Sequence, residues 1–167
     1  MKKMTEENLQ ASLAGESQAH VKYAAFAEQA EKEGKPNVAR LFRAASYSEQ
    51  VHATKHLSTL GGIGASADNL AAAAGGENFE IDEMYPAYIA VAQLQAEKGA
   101  EQSMYRALEA EKVHATLYKA AHEAMAKGQD ASTQTLWICP VCGFTMEGEP
   151  PDRCPICNTP KERFQKF

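Results

Sequence analysis

Residues 48–54 read SEQVHAT and residues 110–116 read AEKVHAT, so the chain carries Glu-x-x-His-Ala-Thr twice, 62 positions apart. On a helix, residues i and i+3 are neighbours. Glu49 therefore shares a face with His52, and Glu111 with His114. Both faces continue into alanines and larger apolar residues, and charged side chains seldom turn inward without a partner. Two such pairs call for something cationic between helices.

Matching carboxylates stand elsewhere. Glu16 sits among Leu9, Leu13, Tyr23 and Ala27, while Glu77 and Glu80 lie one turn apart. Glu16 precedes Glu49 by 33 positions and Glu77 precedes Glu111 by 34, spacings that suit a helical hairpin returning a residue to a similar height. The words AGES (14–17) and GGEN (75–78) also match. The chain thus reads as two related hairpins, each offering a Glu and a Glu-x-x-His, which is the carboxylate pattern of two-metal sites in four-helix bundles. A single Glu-x-x-His is usually solvated charge; the duplication at matched spacing reverses that judgment. Glu49 and Glu111 are expected to contact both metals. His20 and His56 read as core-edge or surface residues and His122 as ordinary surface. Tyr23 and Tyr85 fit core packing as well as they fit hydrogen bonds to metal-bound carboxylates.

A second cluster lies at the C-terminal end. Cys139, Cys142, Cys154 and Cys157 form Cys-x2-Cys-x11-Cys-x2-Cys, whose thiolates can enclose one tetrahedral metal, zinc or iron. The thiolates alone leave zinc slightly ahead; an adjoining two-metal site favours iron. Gly143 follows the first knuckle where positive φ is needed, and Asn158 holds the corresponding place in the second. Trp137, Phe144 and Phe164 are expected to make the module's small core. So short a module generally needs its metal to fold.

The elements that must position these residues follow from periodicity. A first helix, with Thr5 as a possible cap, ends at Gly34 and Pro36; a second runs from about 36 to 60, its inner face reading Val38, Leu41, Phe42, Ala45, Glu49 and His52. Residues 61–76, rich in glycine and small residues, are expected to cross the bundle, with at most a short helix at 68–74. A third helix spans about 77–98, with Pro86 either kinking it or marking a later start. A fourth covers about 100–127. The polar stretch QDASTQT (129–135) reads as a linker. The expected organisation is an antiparallel four-helix bundle over residues 1–130 and a metal-stapled module over 135–167.

Composition sets bounds. The 167 residues carry a net charge of −5, which argues against a general nucleic-acid binder. No apolar run approaches membrane-spanning length, the first twenty residues lack a secretory apolar stretch, and a cytoplasmic location follows as the default expectation.

The words AGES, EQVH, GENFEIDEMYP, EKVH and CPVCG…CPIC occur in this order over nearly the whole chain. In this the sequence resembles the rubrerythrins. The resemblance implies a ferritin-like bundle with an oxo-bridged di-iron site and a rubredoxin-like Fe(Cys)4 domain. It implies di-iron ligands at Glu16, Glu49, His52, Glu77, Glu80, Glu111 and His114, with one iron moving between Glu80 when oxidised and His52 when reduced. The activity it implies is reduction of hydrogen peroxide, with electrons from NAD(P)H through a separate reductase or rubredoxin. A ferritin-like iron-oxidising or storage protein, or a non-enzymatic zinc-ribbon protein, are the alternatives.

A homodimer or larger homo-oligomer is also expected. His114 stands 14 positions before Gly128, roughly 20 Å along a helix. A module tethered at Gly128 is then poorly placed to serve its own bundle, and electrons are expected to cross between subunits, as the resemblance also suggests.

Overall fold

The computed structural model describes residues 1–132 and 134–167. Thr133, inside the expected linker, lies outside the described residues. The chain is mainly α-helical and divides into two compact units, residues 1–64 and 65–167.

The first unit is a hairpin of α1 (Lys3–Lys32) and α2 (Pro36–Thr59). Thr5 does not cap α1; the helix begins at Lys3 with no side-chain cap. Gly34, at φ 67°, closes α1 and Pro36 opens α2 at a position where its missing N–H costs nothing. The two helices meet on small residues: Ala27, Ala30, Ala39, Ser46 and Ala53 are the buried ones. Alanines bring the backbones close, and this seam differs from the inner face expected of α2. Val38 is 45% and Leu41 67% exposed, because the alanine and serine stripe lies beside them on the helix, not beneath them.

The second unit starts with α3 (Ser66–Phe79), where the sequence suggested a crossing segment with a short helix at most. Ala71 to Ala74 are strong helix formers, and packing along the last helix outweighs the cost of Gly75 and Gly76. A π turn over Glu80–Met84 joins α3 to α4 (Tyr85–Leu94). Its wider turn, in which the Tyr85 N–H donates to the Glu80 carbonyl, leads into Pro86 within the first turn of α4. The expected third helix is therefore α3, the π turn and α4 in succession. The extra residue in the turn also rotates the residues of α4 about the helix axis: Ala92 is buried, whereas Tyr88 and Val91 are each 51% exposed.

Ala96 sits in the left-handed region at φ 57°, and α5 (Lys98–Ala126) comes next, packing along α3 and α4. The four-cysteine module is a small sheet ordered β2–β1–β3, with β1 (Leu136–Ile138) antiparallel to both β2 (Thr145–Glu147) and β3 (Gln165–Lys166). Cys139, Cys154 and Phe164 form its buried centre, with Trp137, Phe144 and Ile156 packed around them. Among the described residues no helix is long and apolar enough to cross a membrane.

Candidate metal centres

Each Glu-x-x-His word closes on itself. In α2, His52 Nδ1 lies 2.9 Å from Glu49 Oε2, and in α5, His114 Nδ1 lies 2.7 Å from Glu111 Oε2. Each pair gains one further carboxylate from the neighbouring helix of its own unit. Glu16, Glu49 and His52 place one ligand atom each within 4.8 Å of one another, and so do Glu77, Glu111 and His114. The trios are unequal: His52 is exposed, whereas every member of the second trio is half-buried.

Electrostatics sharpens the case for a cation in the second trio. Burial, reinforced by the facing charge of Glu111 and a hydrogen bond to it, pushes the Glu77 carboxyl up to about 7, against the pull of His114. Glu80 is pushed upward as well, chiefly by burial and then by Glu111. Burial also raises Tyr85, with Glu80, Glu111 and Glu77 adding to it. Three carboxylates and a phenol crowd one imidazole. Among the described residues no lysine or arginine ion pair reaches these carboxylates. A divalent metal would relieve that repulsion. Glu80 stands in this field but outside the trio, at the start of the π turn.

The cysteines meet as the spacing suggests. Cys139 and Cys157 have sulfurs 3.5 Å apart, as do Cys142 and Cys154. A disulfide needs about 2.05 Å. Thiolates held at about 2.3 Å from one tetrahedral metal stand roughly 3.8 Å apart. The cradle therefore fits a four-thiolate metal with slight expansion. Its two knuckles share one construction: Gly143 N–H donates to Cys139 O and Asn158 N–H to Cys154 O, with φ of 77° and 63° at Gly143 and Asn158. Burial pushes the Cys142 and Cys154 thiols up. Burial works the same way on Cys157, but the hydroxyl and backbone N–H of Thr159 and the neighbouring thiols outweigh it, leaving Cys157 at about 6. One ready thiolate beside thiols held neutral by burial is a set that a cation would complete.

The module's position differs from expectation. It was expected to be poorly placed to serve its own bundle, yet it packs on α5 of its own chain. Thr145 Oγ1 lies 2.8 Å from His114 Nε2, and a Cβ on Gly143 would stand 3.8 Å from Ala110, one turn before His114. The chain folds back along α5, so the 14 residues after His114 are retraced by the module. Thr145 and Thr159 were not legible as site residues. The partner of Thr145 is 31 positions away, and no spacing rule links a strand hydroxyl to a helix imidazole. His20, read as a core-edge residue, bonds Ser46 across the hairpin.

The rubrerythrin family model matches residues 7–122, and that of the rubrerythrin rubredoxin-like domain matches residues 137–165. The chain is 41% identical to Rubrerythrin-2 of Clostridium acetobutylicum, over 98% of this chain and 97% of that one. It is 36% identical to nigerythrin of Nitratidesulfovibrio vulgaris, over 98% and 86%. The structure of nigerythrin in its fully reduced, all-ferrous state matches with a TM-score of 0.58 at 34% identity, covering 98% of this chain and 86% of that one.

Proposed function

The chain belongs to the rubrerythrin family, and from that premise we propose that it is a peroxidase that reduces hydrogen peroxide to two waters with two electrons and two protons. Family membership brings a di-iron site and a rubredoxin-like centre, and the residues fit both. In this reading Glu16, Glu49, His52, Glu77, Glu80, Glu111 and His114 hold the two irons, and Cys139, Cys142, Cys154 and Cys157 hold the third. When bound, the paired irons supply the two electrons that cleave the O–O bond, and the thiolate-held iron returns them singly.

The protein's own contribution is placement. Glu49 and Glu111 each hold a carboxylate oxygen within 3 Å of an imidazole nitrogen, so their helices fix the ligand geometry. Glu80 and His52 are the residues for which redox-linked exchange is proposed: the hard carboxylate suits a ferric ion and the neutral imidazole a ferrous one. The exposure of His52 supports such movement on its side.

The single observation that carries the peroxidase reading is the seating of the cysteine module on α5 at His114. A storage protein has no use for a one-electron centre docked at a carboxylate site. No dinucleotide fingerprint occurs in the sequence, so a separate reductase or a rubredoxin would carry electrons from NAD(P)H. Four free cysteines suit a reducing compartment such as the cytoplasm.

The test is anaerobic purification with metal analysis, followed by titration of the reduced protein with hydrogen peroxide. One equivalent should oxidise the paired irons, and turnover should follow when a reductase is supplied. Slow oxidation by peroxide with fast oxidation by oxygen and iron uptake would establish the storage reading instead.

A further inference from the structure

Thr145 is a buried hydroxyl, 4% exposed, at the start of β2, and it stands between His114 and the first cysteine knuckle. Its Oγ1 lies 2.8 Å from His114 Nε2 and 3.0 Å from the carbonyl of Gly143, the residue after Cys142. His114 presents its other nitrogen, Nδ1, to Glu111 and Glu77. A metal on Nδ1 requires the ring proton on Nε2, and that N–H must then donate. Thr145 can accept it only by turning its own proton elsewhere, and the Gly143 carbonyl is the acceptor placed for that proton.

We propose that Thr145 is a positioning residue that locks His114 in its metal-binding tautomer and forms the hydrogen-bonded link from the first cysteine knuckle to the carboxylate centre of the same chain. The chain of donors runs His114 Nε2–H to Thr145 Oγ1–H to Gly143 O. A valine at this position would fill nearly the same volume and supply neither acceptor nor donor, leaving the half-buried Nε2–H without its protein partner. Partners that orient a ligating histidine are typically worth 10- to 100-fold in metal affinity. β2 also packs along α5 apart from this hydroxyl, so the module keeps an attachment to α5 when the hydroxyl is removed.

The proposal rests on the carboxylate trio holding metal, and not on peroxide being the oxidant. The experiment compares wild type, Thr145→Val and Thr145→Ser in the full chain with the iron–thiolate centre loaded. Cobalt(II) binding to the carboxylate site is followed by calorimetry, and the one-electron transfer rate from the reduced thiolate centre to the oxidised di-iron site by rapid mixing. The optical spectrum of the thiolate centre reports that the module is folded. Thr145→Val should weaken cobalt binding roughly 10- to 100-fold and slow the transfer at least tenfold, while Thr145→Ser retains both. Wild-type affinity and rate in Thr145→Val would overturn the proposal. Equal losses in Thr145→Val and Thr145→Ser would also overturn it, since the methyl group and not the hydroxyl would then be responsible. Failure of wild type itself to bind cobalt at the trio would refute the site assignment beneath it.

Discussion

His20 and Ser46 bind each other across the α1–α2 hairpin from both sides. His20 Nδ1 lies 2.9 Å from the Ser46 carbonyl, and the Ser46 hydroxyl donates to the His20 carbonyl at 2.9 Å. Ser46 is 5% exposed, so these bonds work in a place where water cannot replace them. His20 thereby has a structural task one turn from Glu16. Ser46→Ala should lower stability by about 1 kcal/mol, read as a fall in thermal midpoint, with metal content unchanged. Loss of metal in that variant would show that the hairpin seam also sets the position of Glu16.

Ala96 is a non-glycine residue in the left-handed region, ending α4 with its N–H on Gln93 O and the Glu97 N–H on Ala92 O. This is the helix-terminating arrangement that glycine usually fills. Ala96→Gly should raise stability by roughly 1 kcal/mol, because the strain of the Cβ exceeds the added freedom of the unfolded chain. A lowered unfolding midpoint would contradict the strain.

Thr159 places its hydroxyl 3.0 Å from Cys157 Sγ. A hydrogen bond to a thiolate favours the more negative, reduced centre, so its loss should lower the reduction potential. If the bond is worth ~1 kcal/mol more to the reduced state, Thr159→Val should shift the one-electron potential down by about 40 mV. Spectroelectrochemistry reads this directly, and a rise would refute it.

In the metal-free protein Glu77 has a folded-state pKa of about 7 against 4.5 for the free group. A raised carboxyl favours the fold below about pH 4.5, and that contribution is lost as pH rises through 7. Stability of the metal-free chain should therefore fall across this window, and Glu77→Gln should flatten the fall. Denaturant midpoints at pH 5, 6, 7 and 8 make the comparison. An unchanged slope in Glu77→Gln would assign the titration to other groups.

The seating of the module on its own α5 changes what subunit mixing should give. Chains carrying Cys139→Ser and Cys142→Ser are mixed with chains carrying Glu111→Ala. If electrons enter at the trio beside the module, confirmed heterodimers should stay inactive, since neither chain holds both an intact module and an intact Glu111. Recovered peroxide turnover would restore the cross-subunit route.

Local chemistry was legible without a structure. Glu-x-x-His depends only on helical periodicity, and α2 and α5 are long, periodic helices that reproduce it at 2.9 and 2.7 Å. The cysteine knuckles are equally local: Gly143 and Asn158 adopt the positive φ that their positions demand. What the sequence could not decide depended on competition or on distance. Gly75 and Gly76 argued for a break, and only the packing of α3 on α5 shows why the helix continues through them. Pro86 argued for a kink or a later start, and a π turn ahead of it lets α4 begin at Tyr85 with the proline in its first turn. The placement of the cysteine module against His114 depended on a contact between Thr145 and a helix 31 residues earlier, which no repeat or period encodes. Periodicity specifies which face a residue occupies; only the folded chain specifies what that face meets.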